Sequence, residues 1–153
     1  MPALTLAALF LAACAAGPVP ASGEDPEPSP DLTPQEVVRL QVEALREGGD
    51  RGIATAFRFA SPENREVTGP LARFAEMLRR GYPDMLGAER AEFGRMVFSD
   101  GEAAQHVTLV QADGERTAYV FALSRQSGGA CDGCWMTDAV VPAPVPSDGM
   151  IRV

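Results

Sequence analysis

A few positions in this sequence carry residues whose type and setting could do chemistry, and the first is Leu11-Ala12-Ala13-Cys14. An apolar run from Leu4 to Ala13 ends there in a cysteine preceded by two alanines. A bacterial lipoprotein signal has this shape: small residues admit the signal peptidase, and the cysteine sulfur carries a diacylglyceryl group. The run is 10 residues long, right for a secretory signal, whereas a membrane-crossing helix needs roughly 20. No Lys or Arg lies ahead of it, so only the terminal amine supplies positive charge. Cys14 is therefore expected to be the lipidated mature N-terminus, with Ala15 compatible with outer-membrane sorting. An ordinary cleavable signal cut near Ala21, or a chance Ala/Leu stretch, are the alternatives.

Cys131-Asp132-Gly133-Cys134 has CxxC spacing. With Cys14 claimed by the signal, the remaining pair in an exported chain suggests a disulfide, because that compartment is oxidising. Reduced structural thiols, redox chemistry and metal binding are the other readings. Redox chemistry of the thioredoxin kind wants a helix N-terminus, and this motif precedes a strand. Zinc would need four ligands, and only His106 could join the two thiols. No metal or cofactor is expected.

His106, the single histidine, shares a strand face with Ala104, Thr108 and Val110. A hydrogen-bonded structural role is the plainer reading, although one acid–base group in a pocket suffices for proton transfer. Asp138 interrupts the apolar strand Met136–Val141 and either reaches solvent or lies in a pocket with a raised pKa. Arg79-Arg80-Gly81-Tyr82-Pro83 could offer guanidinium and phenol groups to an anion, yet plain helix termination explains each residue. Tyr119 and Trp135 read most simply as core aromatics. Arg80, Tyr82, Tyr119 and Trp135 are candidate ligand-binding residues, and His106 and Asp138 candidate catalytic ones.

These residues need a scaffold, and the pattern supplies one. Thr33-Pro34-Gln35-Glu36 is a capping box with Pro at the first helical position. Val37, Leu40, Ala44 and Val38, Val42, Leu45 then form an apolar stripe that Gly48-Gly49 ends. Asp50 can cap a second helix through Ile53, Ala56, Phe57 and Phe59, stopped by Ser61-Pro62. A third runs from Gly69 to Arg80 and buries Leu71, Phe74, Ala75 and Leu78. After residue 88 the period changes to two. Ala91–Phe98, Ala103–Gln111, Arg116–Ser124 and Cys134–Val141 read as strands, with Asp100-Gly101 and Asp113-Gly114 as hairpin turns. Pro142, Pro144 and Pro146 are expected to forbid continuation. The fold class is α+β, with three N-terminal helices packed on a curved four-stranded antiparallel sheet.

The chain has 153 residues, enough for one domain besides a signal and a linker. Residues 1–14 read as signal, 15–31 as a disordered tether rich in proline and acid, 32–142 as the domain and 143–153 as a flexible tail. The net charge is −8, with Glu24, Asp25, Glu27 and Asp31 concentrated in the tether. That balance does not suit a nucleic-acid backbone.

The element order resembles the NTF2-like (cystatin-like cone) superfamily, in which helices close a bent sheet around a pocket. More narrowly, the chain resembles a bacterial family of uncharacterised proteins, the domain of unknown function 4864. The resemblance is carried by Phe57-Arg58-Phe59-Ala60-Ser61-Pro62, Arg79-Arg80-Gly81-Tyr82-Pro83, Gln105-His106-Val107, the Asp113-Gly114 turn and Cys134-Trp135. It implies fold and compartment and no activity.

The expected function is non-catalytic binding of a ligand or partner at the cell envelope, held to the membrane by lipid and facing the periplasm. The ligand would be small and apolar or weakly anionic, or an envelope protein, suited to the lining Phe57, Phe74, Phe93, Tyr119, Phe121 and Trp135. The alternative is a small cone-pocket enzyme of the isomerase, dehydratase or hydrolase kind using His106 or Asp138. Soluble periplasmic or secreted placement and homodimerisation through the open sheet face also remain open.

Overall fold

The computed structural model describes residues 23–147. Cys14, the signal at 1–14, the first part of the expected tether and the end of the tail lie outside the described residues. Four α-helices come first: α1 (Pro34–Glu47), α2 (Gly49–Arg58), α3 (Pro62–Thr68) and α4 (Leu71–Gly81). A short 3₁₀ turn at Pro83–Met85 leads into β1 (Arg90–Ser99), β2 (Glu102–Val110), β3 (Arg116–Arg125) and β4 (Trp135–Ala143). The strands form one antiparallel sheet in the order β1-β2-β3-β4. The expected α+β plan is the one present.

Local chemistry accounts for α1. The Thr33 hydroxyl accepts from the Glu36 amide, and the Glu36 carboxylate accepts from the Thr33 amide at 2.7 Å. Val37, Val38, Val42 and Leu45 face the sheet, buried against Val107, Leu109, Phe121 and Leu123 on its inner side. α2 crosses α1 so closely that a Cβ on Gly52 would stand 2.0 Å from the Ala44 carbonyl oxygen. Only hydrogen fits there.

The structure departs from the sequence reading in several places. Ser61-Pro62 does not merely stop α2; the Ser61 hydroxyl accepts from the Asn64 amide and starts a fourth helix, α3, with Pro62 at its first position. That helix buries none of its side chains, so its apolar period was too faint to see. Asp50 does not cap α2, which begins at Gly49 after Gly48; its carboxylate pairs with Arg79 instead. Leu71 is exposed, being the first residue of α4, beyond the edge of the core.

Strict alternation fails in β1, where the register slips between Phe93 and Met96. The extra residue turns Met96 inward, and Val97 outward to 58% exposure. β4 runs through Pro142 to Ala143, since an edge strand tolerates a residue without an N–H. Finally, residues 24–31 lie on the domain rather than away from it. Asp25 pairs with Arg51 and Arg58, and Glu27 with Arg58. Composition gave no view of those arginines on α2.

Gly52→Ala is expected to lower stability by about 3 kcal/mol, the upper end of typical overpacking costs. Gly81→Ala, where no atom lies within 4 Å of the new methyl, should leave the denaturation midpoint nearly unchanged. Chemical denaturation of the two variants distinguishes them.

Candidate functional site

Between the helices and the inner sheet face lies a cavity of about 180 Å³. α1 contributes Gln41 and Leu45, α2 contributes Ala56, and α3 contributes Asn64 and Thr68. Phe74, Met77 and Leu78 come from α4, Tyr82 and Met85 from the following turn, and Phe121, Thr137 and Val140 from β3 and β4. The lining is mainly aliphatic and aromatic. Two methionines give it adaptable walls.

Its polar groups answer one another. The buried Thr137 hydroxyl donates to Gln41 Oε1 at 2.6 Å, and Gln41 Nε2 donates to the Ala56 carbonyl at 3.0 Å. Asn64 Nδ2 donates to the Thr137 carbonyl at 3.0 Å, and Thr68 donates to the Asn64 carbonyl. The Phe59–Ser61 link pairs with the Thr137 backbone in a short parallel bridge. α1, α2, α3 and β4 therefore meet at one threonine. Sequence reading missed Gln41, Asn64 and Thr137 as site residues. Gln41 sitting within the apolar stripe of α1 was the available signal, since a polar residue on a core face needs a partner.

The sequence-predicted residues are scattered. Tyr82 lines the cavity, and its ring lies 5.9 Å from that of Tyr119. The Tyr119 hydroxyl donates to Asp84 at 3.0 Å. Burial, and secondly that carboxylate, push the Tyr119 pKa up to about 12. Trp135 sits elsewhere, edge-on to Phe98 at 6.2 Å. Arg80 projects into solvent beside Glu76. Phe57 packs behind Phe74 with its ring centre 5.2 Å away, and Phe93 lies under Arg39. Of the expected apolar lining, Phe74 and Phe121 reach the cavity.

The two acid–base candidates are on the other side of the sheet. His106 alternates with the buried Gln105 and Val107 and so faces outward, with Nε2 3.0 Å from the Pro144 carbonyl. Asp138 is the extra residue where β4 slips against β3, opposite Ala122 and Leu123. It lines a shallow outer depression with Val97, Ala104 and Ala122. A bulge explains why an acid interrupts an apolar strand: the residue leaves the ladder and reaches toward water.

Cys131 and Cys134 are joined in a disulfide, with Cα atoms 5.5 Å apart. Cys134 is buried, and its carbonyl accepts from the Gln126 amide at 2.8 Å, closing the loop before β4. Beside this loop, Arg58 and Arg65 wall a groove into which Glu27 and Pro28 also reach. Arg65 donates from Nε to the Ala60 carbonyl at 3.0 Å and from Nη2 to the Arg58 carbonyl. Asp25, held by Arg51 first and Arg58 second, titrates below its ordinary carboxylate value.

The family described as a domain of unknown function (DUF4864) matches residues 29–148. The chain belongs to that family. No curated protein and no solved structure matches it. The family's match takes in every helix and strand described above, the cavity and the disulfide loop.

Thr137→Val is expected to cost roughly 1–3 kcal/mol, because Gln41 Oε1 is left buried without a donor. Adding Gln41→Met should recover part of that loss, and thermal unfolding of the single and double variants measures it. In an ultraviolet titration, one of the two tyrosines should ionise only near pH 12. Tyr119 then contributes stability that is full below pH 10.0 and declines as pH rises toward 12. Asp84→Asn should move this late ionisation back toward 10.0.

Proposed function

We propose that this chain is an exported binding module of the cell envelope, anchored by lipid on Cys14 and facing the periplasm, which holds a small apolar ligand without transforming it. The observation that carries this is the mainly apolar cavity of about 180 Å³, in which Gln41, Asn64 and Thr137 already hold hydrogen-bond partners within the protein. Such a lining offers a ligand mainly apolar contact. A closed, wholly apolar cavity of about 150 Å³ accepts benzene, so the size suits a single aromatic ring or a short branched chain. Two features favour binding over catalysis: His106 and Asp138 both face away from this cavity, and no reactive side chain in its wall is paired with a base. The lipid anchor rests on the Leu11–Cys14 pattern, and outer-membrane sorting on Ala15 after it. A soluble periplasmic form follows if the signal is an ordinary cleavable one.

Titration with toluene, indole and isobutanol, followed by amide chemical shifts, tests the cavity. Shifts are expected at Leu45, Phe74, Leu78 and Phe121. Val140→Phe, which places a ring in the space, should abolish them while far-UV circular dichroism is retained. Shifts that persist in Val140→Phe would overturn the assignment, as would none with any probe. In cells, Cys14→Ser should move the protein from the membrane to the soluble fraction or leave it unprocessed.

A further inference from the structure

The groove beside the disulfide loop is distinct from the apolar cavity. It has a volume of about 400 Å³, and its walls include Arg58, Arg65, Gln126 and the loop from Gly128 to Cys131. Arg58 and Arg65 wall the groove, and Arg51, outside its lining, reaches the same carboxylate as Arg58. Asp25 bridges them, with Oδ1 2.6 Å from Arg51 Nε and Oδ2 2.9 Å from Arg58 Nη2. Glu27 stands 3.3 Å from Arg58 Nε.

The match is incomplete. Asp25 and Glu27 pair with Arg51 and Arg58 but not with Arg65. Arg58 Nη1 is buried without a hydrogen-bond partner among the described residues, and a buried donor left unpaired is costly. Arg65 donates from Nε and Nη2 to the Ala60 and Arg58 carbonyls and lies over the Phe57 ring, contacts that fix its position without pairing it with a carboxylate. The hold from the other side is light: the side chains of Glu27 and Arg51 are 70% and 69% exposed, and exposed ion pairs contribute little.

We propose that this groove is a binding site for a dianionic oxyanion group, a phosphate monoester or a dicarboxylate, whose place the carboxylates of Asp25 and Glu27 occupy in the free protein. One dianion carries the charge that those two side chains supply together. Its oxygens can meet Arg58 Nε and Nη2 together, the two positions that Glu27 and Asp25 now hold separately. Binding displaces the acidic segment, so residues 24–31 leave the surface of α2 as the ligand enters. Site occupancy and docking of the segment are thus competing states.

Calorimetric titration of the full chain at fixed ionic strength, with phenyl phosphate, succinate and acetate as probes, tests this. Phenyl phosphate or succinate should bind, and the preferred one identifies the class; acetate should bind at least tenfold more weakly. The double variant Asp25→Asn/Glu27→Gln removes the competitor and should bind the preferred dianion about tenfold more tightly. Arg58→Gln should lose binding, and Arg58→Lys, which keeps the charge but lacks the fork, should be several-fold weaker. In the unmodified chain, amide shifts of residues 24–31 should move to their free positions on saturation. Failure of both dianions to bind the double variant at millimolar concentration would overturn the proposal. So would equal binding of acetate, or affinity unaltered by either Arg58 substitution.

Discussion

The contact between the Thr137 hydroxyl and the Gln41 carboxamide, 2.6 Å long and made by two buried side chains, is the constraint on which the seating of the helices over the sheet depends. Each group would be costly to bury alone, and together they fix the depth of α1 over β4. Gln41 passes the constraint to α2 through the Ala56 carbonyl, and the Thr137 backbone passes it to Phe59, Ser61 and Asn64. α3 has no buried face of its own, so these bonds, with Arg65 reaching back to Ala60 and Arg58, are what seat it. The cavity is the space that this knot holds open between α3, α4 and the sheet.

The two sheet faces differ in what they carry. The inner face takes Val107, Tyr119, Phe121 and Leu123 and closes on the helices. The outer face holds His106, Asp138 and the exposed Val97 and Val141. Two bulges set this partition at the rim, one turning Met96 in and Val97 out, the other expelling Asp138. The acid–base residues that looked most chemical in sequence, His106 and Asp138, are thus kept from the cavity, whose buried polar side chains Gln41 and Thr137 bond to each other. The proposed binding role rests on this partition.

The N-terminal acidic segment adds a second theme. Asp25 and Glu27 belong to a stretch with little apolar surface to bury, and they stay on the domain through charge. Ion pairs of this kind hold a segment in place without fixing it, since salt and competing anions act on the same contacts. The segment also brings Pro30 against the Gly133 position of the disulfide loop. Tether, arginine cluster and disulfide therefore form one continuous surface at the end of the sheet opposite Tyr119 and Asp84.

Much of the fold was legible in the residues. The capping box at Thr33, the apolar stripe of α1, the change of period after residue 88 and the Asp100-Gly101 and Asp113-Gly114 turns are local signals, each acting within a few residues. The cysteine spacing likewise carried the disulfide, and the order of motifs carried the family. Three things were decided only in three dimensions. Helix α3 depends on partners 73 residues away in sequence, so no period announced it. The bulges at Gly94–Arg95 and Asp138 depend on how neighbouring strands pair, which a strand's own alternation does not encode. The docking of Asp25 depends on two arginines that helical geometry puts on one face of α2. Local propensity is written along the chain; partner identity is settled by which surfaces the folded chain brings within hydrogen-bonding distance.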